Sequence, residues 1–197
     1  MTSPPTARDR AKAERAESLL QEAARLFAER GYSGVSLEDI GSAVGVSGPA
    51  VYRHFAGKQA LLGAVLIKVS EDLVSGGTRV AAAASDDEER MLALIGFHVD
   101  FALTHADVIR VQDRDLAHLS EEDRAEVRRL QRIYIDLWIS ALEPVHSAAA
   151  DELRLRVQAC FGLINSTPHS GLLPDVQMRA LLTTMALGAL GLTDQER

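Results

Sequence analysis

Apolar residues recur at three- and four-residue intervals along nearly all of this 197-residue chain. No stretch alternates apolar and polar residues between hairpin turns. The pattern leaves an all-α architecture, in a chain long enough to bury a sizeable core. A first helix is predicted from about Lys12 to Glu29, with Leu19, Leu20, Ala23, Leu26 and Phe27 on one face and Gly31 as its stop. A short second helix starts at Ser36, whose hydroxyl can cap free N–H groups; Asp39 completes a capping box and Val35 offers a staple. It ends by Val44, Gly45 turns the chain, and Ser47 caps a third helix that tolerates Pro49 in its first turn. Six more are predicted over Lys58–Val74, Asp86–Leu103, Ala106–Leu116, Glu121–Glu143, Asp151–Asn165 and Asp175–Leu190. Breaks are expected at Gly76-Gly77, Thr104-His105, Ser120, Pro144 and across Ser166–Pro174, giving about nine helices in all.

Residues 1–11, with Pro4-Pro5 and basic side chains nearby, read as a flexible basic arm. The net charge of −7 argues against a generic nucleic-acid binder, but its distribution is uneven. Residues 1–58 hold eight Lys/Arg against seven Asp/Glu, and the remainder thirteen against twenty-one, so only the first part sits comfortably against phosphate. Cys160 is the single cysteine, which excludes an intrachain disulfide framework and is consistent with a reducing cytoplasm. Neither an apolar leader nor a run of bilayer-spanning length is found, so a cytoplasmic location without membrane attachment is expected.

Leu37 to Phe55 has the spacing of a helix-turn-helix. Ile40, Val44, Val46, Val51 and Phe55 form its inward set, facing Leu20, Ala23 and Phe27 of the first helix. Ser47, Gly48, Pro49, Ala50, Tyr52 and Arg53 are left outward. Small outward residues let a helix sink into a DNA major groove; Arg53 can fork onto phosphate or a guanine edge, Tyr52 can donate to phosphate, and Lys58 supplies a point charge. An ordinary helical hairpin with a solvated polar face has the same spacing. A protein-binding adaptor is a further alternative, though it leaves the cluster from Tyr52 to Lys58 without a purpose. For an enzyme the signals are poor: the six histidines form no HExxH pair, Cys160 stands alone in an apolar helix, and Asp113-Arg114-Asp115 reads as a solvated charge run. No catalytic residue, metal site or cofactor is assigned.

The stretch "AARLFAERGYSGVSLEDIGSAVGVSGPAVYRHFAGKQALLGAVL", Ala23–Leu66, resembles the DNA-binding signature of the TetR family of bacterial transcriptional repressors. The likeness runs through Phe27–Tyr32, the Ser36 cap, Ile40, the Gly45-Val46-Ser47 turn, Tyr52 with Phe55, and Lys58 followed by Leu61-Leu62. The resemblance implies an N-terminal helix-turn-helix domain over 12–57 and a helical ligand-binding and dimerisation domain over 58–197. It also implies a homodimer that holds a palindromic operator and releases it when a small molecule binds. Carried over by position, Ser36 and Ser47 cap helices and touch phosphate. Tyr52, His54 and Lys58 hold the backbone, while Arg53 and the outward turn Gly48-Pro49-Ala50 face bases. Gly48-Pro49-Ala50 departs from the more usual Lys-Gly-Thr-like triplet, removing a cation and a hydroxyl; Gly41 stands where Ala is more common. "FGLINSTPHSG", Phe161–Gly171, is similar to actinobacterial members, with no ligand attached to it.

The last two helices are apolar over wide arcs, and the resemblance places a four-helix dimer bundle on them through Leu153, Val157, Phe161, Leu182, Met185, Ala186 and Ala189. A buried single-chain core is the alternative. Within the helical bundle, Phe97, Phe101, Tyr134 and Trp138 can line a cavity with His98, Arg110, Asn165 and His169 as polar fixers. Each of these also fits plain core or surface. The apolar bias favours a lipophilic or acyl-type ligand.

Overall fold

A computed structural model of the chain describes residues 6–169 and 173–192. Among the described residues there is no strand. The helices are α1 (Ala7–Arg30), α2 (Leu37–Ala43), α3 (Gly48–Val51), α4 (Lys58–Ala83), α5 (Asp87–Thr104), α6 (Ala106–Asp115), α7 (Glu121–Leu142), α8 (Ala150–Ile164) and α9 (Asp175–Leu190), with 3-10 turns at Leu116–His118 and Thr167–His169. None of these helices alone is long and apolar enough to cross a membrane.

The first helix begins five residues earlier than its apolar stripe indicates. Thr6 Oγ1 accepts from the Asp9 N–H at 3.2 Å and the Asp9 carboxylate accepts from the Thr6 N–H at 3.0 Å, a reciprocal cap that nucleates a polar first turn. Residues 7–11, read as part of the arm, are therefore helix, and residues 1–5 lie outside the described residues. Ser36 and Asp39 form the same box at α2, with hydrogen bonds of 2.8 and 3.0 Å, as the sequence pattern requires. The Ser36 hydroxyl, and then its N–H, both donating to the Asp39 carboxylate, hold that carboxyl below its usual range.

The expected break at Gly76-Gly77 is also corrected: α4 runs unbroken to Ala83. Both glycines are buried. A Cβ on Gly76 would collide with the Phe97 ring of α5, and one on Gly77 would come within 2.6 Å of Tyr134 Cε2 on α7. Missing side chains here serve interhelical packing, and the flanking helical residues carry the backbone through. Gly76→Ala should accordingly destabilise the fold by about 1–3 kcal/mol, overpacking outweighing the gain in helix propensity. Urea unfolding measures it; an unchanged or raised midpoint would refute the packing role.

Two apolar clusters share α4. The N-terminal one joins Leu19, Ala23 and Phe27 of α1 and Ile40 and Val51 of the helix-turn-helix to Leu61, Leu62, Val65 and Leu66, the first turns of α4. It also takes in Val108 and Val111 of α6 and Val127 of α7. In the second cluster Met91, Leu94, Ile95 and Val99 of α5 meet Trp138 and Leu142 of α7 and the inner faces of α8 and α9. Arg114 ties α6 to the end of α1. Its guanidinium donates to the Phe27 carbonyl and lies 3.4 Å from that of Ala28, so it caps the last turn of α1 from α6. There it meets the negative end of the helix dipole. Asp115, buried, pairs with it at 3.0 Å.

Candidate nucleic-acid interface and inner cavity

The helix-turn-helix turn depends on Gly45, whose φ of 71° is left-handed and costs a residue with a Cβ. Gly41 closes the same turn from the other side. It is buried, and a Cβ there would lie 2.9 Å from the Val46 carbonyl oxygen and 3.1 Å from Val51 Cγ2. The Val46 N–H donates to the Gly41 carbonyl at 2.8 Å, so α3 is drawn close onto α2. Beyond Gly48–Val51, α3 continues only as turns, with the His54 and Phe55 N–H groups both donating to the Val51 carbonyl.

The side chains around this turn divide into free and committed ones. Ser47, Pro49, Tyr52 and Arg53 are exposed, Tyr52 at 56%. Ser47 stands at the N-cap of α3, yet its hydroxyl makes no capping bond, contrary to the sequence expectation; it is left facing outward. Ala50 and His54 are half-buried. Gly48, read as outward, is buried: a Cβ would sit 3.1 Å from Glu38 Oε1, so α2 covers it. Val44, Val46 and Phe55, from the inward set, are only half-buried. Ser36 spends its hydroxyl on Asp39 at 2.7 Å.

Lys58 is the clearest departure from a simple phosphate contact. Its ammonium donates to the Tyr32 and Val35 carbonyls, both at 2.8 Å, and lies 4.4 Å above the Tyr32 ring. Two of its three donors tie the α1–α2 connection to α4, which leaves one for a ligand. A cation the sequence reading did not single out is exposed beside the turn. Arg15 of α1 lines a cleft of about 220 Å³ together with Val46, Ala50, Arg53 and His54. Among the described residues neither Arg15 nor Arg53 enters a salt bridge. Arg25, by contrast, is held by Glu22 at 2.8 Å and Glu29 at 2.7 Å. Two guanidiniums outside any salt bridge, beside an imidazole, offer the donors that a phosphate backbone accepts.

The second feature is a cavity of about 220 Å³ inside the C-terminal bundle. Ser70 and Leu73 reach it from α4, His98 from α5, Gln112 from α6, Leu130, Gln131, Tyr134 and Ile135 from α7, and Gln158, Phe161 and Asn165 from α8 and its C-cap. His98, Tyr134 and Asn165 thus come together as the sequence suggested. Trp138 is fully buried behind them, edge-on to Phe161 at 4.9 Å. The remaining cavity assignments are corrected. Phe97 is taken up by Gly76, and Phe101 stacks on His105 at 4.7 Å. Arg110 is exposed and donates to the Pro168 carbonyl at 2.9 Å. His169 is exposed, 4.0 Å from Asp113. What the sequence reading missed are Ser70 and the three glutamines. In amphipathic helices glutamine reads as solvent face, and only the convergence of four helices turns it inward.

Burial pushes the His98 imidazole down to about 4, the Asn165 amide opposing weakly, so the ring is neutral at neutral pH. Its Nδ1 lies 3.3 Å from the Tyr134 hydroxyl, while its Nε2 has no hydrogen bond of normal geometry. Burial also raises the Tyr134 hydroxyl, and pushes the Cys160 thiol up to about 12, which makes that sulfur inert. Because the folded chain holds His98 below its free value near 6.5, the unfolded chain binds the extra proton first. Stability present above pH 6.5 is therefore lost as pH falls toward about 4, by on the order of 3 kcal/mol. Replacing His98→Phe should flatten that part of the pH–stability curve; an unchanged slope in urea melts would place the titration elsewhere.

The α8–α9 hairpin presents the third surface. Leu153, Val157, Leu182 and Ala186, read as dimer contacts, face inward into their own core, because a hairpin must first cover the bundle it closes. Phe161 lines the cavity and Ala189 is half-buried. Of the seven, Met185 is exposed, at 45%. Leu181, one turn before it on α9, is exposed on the same side, and Leu155 of α8 and Val176 at the start of α9 are exposed as well. Gly162 and Gly188 lie on the same two helices with open space over their Cα atoms.

A small helix-turn-helix module with free cations, mounted on a larger helical bundle that holds a half-open cavity, defines a one-component DNA-binding regulator. Comparison with known proteins bears this out. Residues 19–65 match the family described as bacterial regulatory proteins, tetR family, and residues 84–169 match the tetracyclin repressor-like C-terminal domain. The chain belongs to the TetR family of transcriptional regulators. Over 168 residues, 85% of this chain and 82% of the relative, it is 25% identical to the HTH-type transcriptional repressor KstR2 of Rhodococcus jostii. Over 88 residues, 45% of this chain and 40% of the relative, it is 35% identical to the transcriptional activator FasR of Mycolicibacterium smegmatis. Its fold is similar to that of AibR, solved with isovaleryl coenzyme A and operator DNA, with a TM-score of 0.73 at 20% identity, covering 87% of this chain and 97% of that one.

Proposed function

We propose that this protein is a homodimeric repressor that holds a palindromic operator and lets it go when a small, largely apolar ligand fills the inner cavity. The dimer forms through the outer face of α8 and α9, which sets two helix-turn-helix units on one side of a DNA duplex. Arg15, Arg53, His54, Tyr52 and the Ser47 hydroxyl take the phosphates, while Pro49 and Ala50 meet base edges by apolar contact with thymine methyls. The domains divide near Lys58, and Arg114 carries the signal between them. Gln112 of the cavity lies on the same helix, two residues before it, and Arg114 caps the last turn of α1. A ligand that shifts α6 thus moves α1, and with it the helix-turn-helix.

The single observation that supports this reading best is the Arg15–Arg53–His54 cleft at the mouth of the α2–α3 turn. Repression rather than activation is favoured because the repressor relative matches along most of the chain and the activator relative along less than half. A carbonyl-bearing acyl compound suits the cavity, in line with the acyl thioester bound by the AibR fold neighbour. Capture of sheared genomic DNA on the immobilised protein, followed by sequencing, tests the proposal. Enrichment of a few promoter-proximal fragments is expected; recovery no different from input would contradict it.

A further inference from the structure

The cavity wall is mainly apolar, and its polar groups, among the described residues, carry no formal charge. Five side chains bring hydrogen-bonding groups to it from four directions: Ser70, Gln112, Gln131, Gln158 and Asn165. The Ser70 hydroxyl donates to its own helix at Leu66, 2.8 Å away, which leaves its oxygen as an acceptor. His98 is 2% exposed and meets the Asn165 side chain, while Trp138, behind the cavity wall, meets the Tyr134 hydroxyl; neither pair reaches normal hydrogen-bond geometry. Buried polar atoms are ordinarily hydrogen-bonded, so the loosely met His98–Asn165 pair leaves room for a ligand group that donates or accepts. Among the described residues that line the cavity there is no Lys, Arg, Asp or Glu.

Taking the cavity as the effector site, we infer that it selects an uncharged ligand group, a carbonyl or hydroxyl on a compact hydrocarbon, and rejects the carboxylate of the same skeleton. The amides of glutamine and asparagine both donate and accept, so they pair with a neutral carbonyl or hydroxyl in either sense. A carboxylate would be stripped of water with no cation to meet it, an unpaired charge that the bundle cannot accommodate. The cavity, at about 220 Å³, exceeds the roughly 150 Å³ that holds a benzene ring, so the buried part is a medium-length acyl or a single-ring group. A charged carrier is compatible only if it stays outside, where Gln158 is exposed at the rim. The same chemistry is offered by an acyl thioester and by a free neutral amide or ketone.

Trp138 reports occupancy directly, as the chain's only tryptophan and an edge-on neighbour of Phe161. The probes are the amide, the N-acetylcysteamine thioester and the carboxylate of three acyl skeletons: octanoyl, phenylacetyl and cyclohexylacetyl. At pH 7 the amide or thioester of at least one skeleton should quench Trp138 with an affinity about a hundredfold or more above that of its carboxylate. Amide and thioester binding alike identifies the carbonyl as the recognised group; thioester binding alone identifies an acyl carrier as the source. Gln131→Arg should narrow the gap by admitting the carboxylate. Gln158→Arg, at the exposed rim, gives a second variant that keeps the fold. Carboxylates binding as well as their amides, no probe perturbing Trp138, or an unaltered gap in both arginine variants would overturn the inference. DNA capture is scored on the same preparation. A protein that captures DNA but prefers acids sinks this inference alone, whereas a protein that binds amides but no DNA sinks the regulator reading alone.

Discussion

Arg53→Ala should lower operator affinity by roughly thirtyfold or more while leaving the fold and the proposed dimer intact. In the proposed dimer each protomer contributes one such side chain, and a guanidinium on phosphate or a guanine edge is worth about 1–3 kcal/mol, so the pair would account for about 2–6 kcal/mol. Arg53 is exposed and is in no salt bridge among the described residues, so nothing in the fold depends on its charge. Fluorescence anisotropy on a captured fragment measures the loss. A lower slope of log affinity against log salt should accompany it, because a phosphate contact releases counterions. Lys58→Met serves as the contrast. Its ammonium satisfies two carbonyls of the α1–α2 connection, so its removal should cost about 1–3 kcal/mol of stability as well as DNA binding. If Lys58→Met weakened DNA binding without moving the thermal midpoint, the anchoring role would be wrong. If Arg53→Ala bound as tightly as the parent, the helix-turn-helix face would be misassigned.

Met185→Glu should split the proposed dimer. At a two-fold interface every substitution appears twice, so two carboxylates are forced into one desolvated apolar face. Met185 is 45% exposed and on the outer side of α9, so the isolated subunit loses little of its own core. Sedimentation should show a monomer with near-native helicity. Operator affinity should fall by about a hundredfold or more, since one half-site must then be held without the second. Leu155→Glu on α8 should behave alike, whereas Leu182→Glu, on a fully covered side chain, should unfold the hairpin. A Met185→Glu protein that still sediments as a dimer would move the interface off α9.

Local rules made the helix-turn-helix legible. Ser36 and Asp39 announce a capping box, Gly45 a left-handed turn and Pro49 a first helical turn, and each uses chemistry contained within a few residues. The parts that were not legible depend on what stands opposite. Gly76-Gly77 reads as a break because glycine weakens helices, yet Phe97 and Tyr134, more than twenty residues away, turn the pair into a packing notch. Leu153, Val157, Leu182 and Ala186 form an apolar stripe, but periodicity does not say whether a stripe meets its own bundle or a second copy. Gln112, Gln131 and Gln158 sit on three helices and become a cavity wall only once these converge. Lys58 shows the same limit from the other side: its place in a basic cluster suggested DNA, and its reach back to Tyr32 and Val35 is visible only in the fold.

The central claim is two-fold recognition of a duplex by paired helix-turn-helix units. Hydroxyl-radical footprinting of a captured fragment tests it most directly. Two symmetric protected patches on one face of the DNA, with centres about one helical turn or a whole multiple apart, are the predicted result. A single patch, or uniform protection without symmetry, would contradict the account.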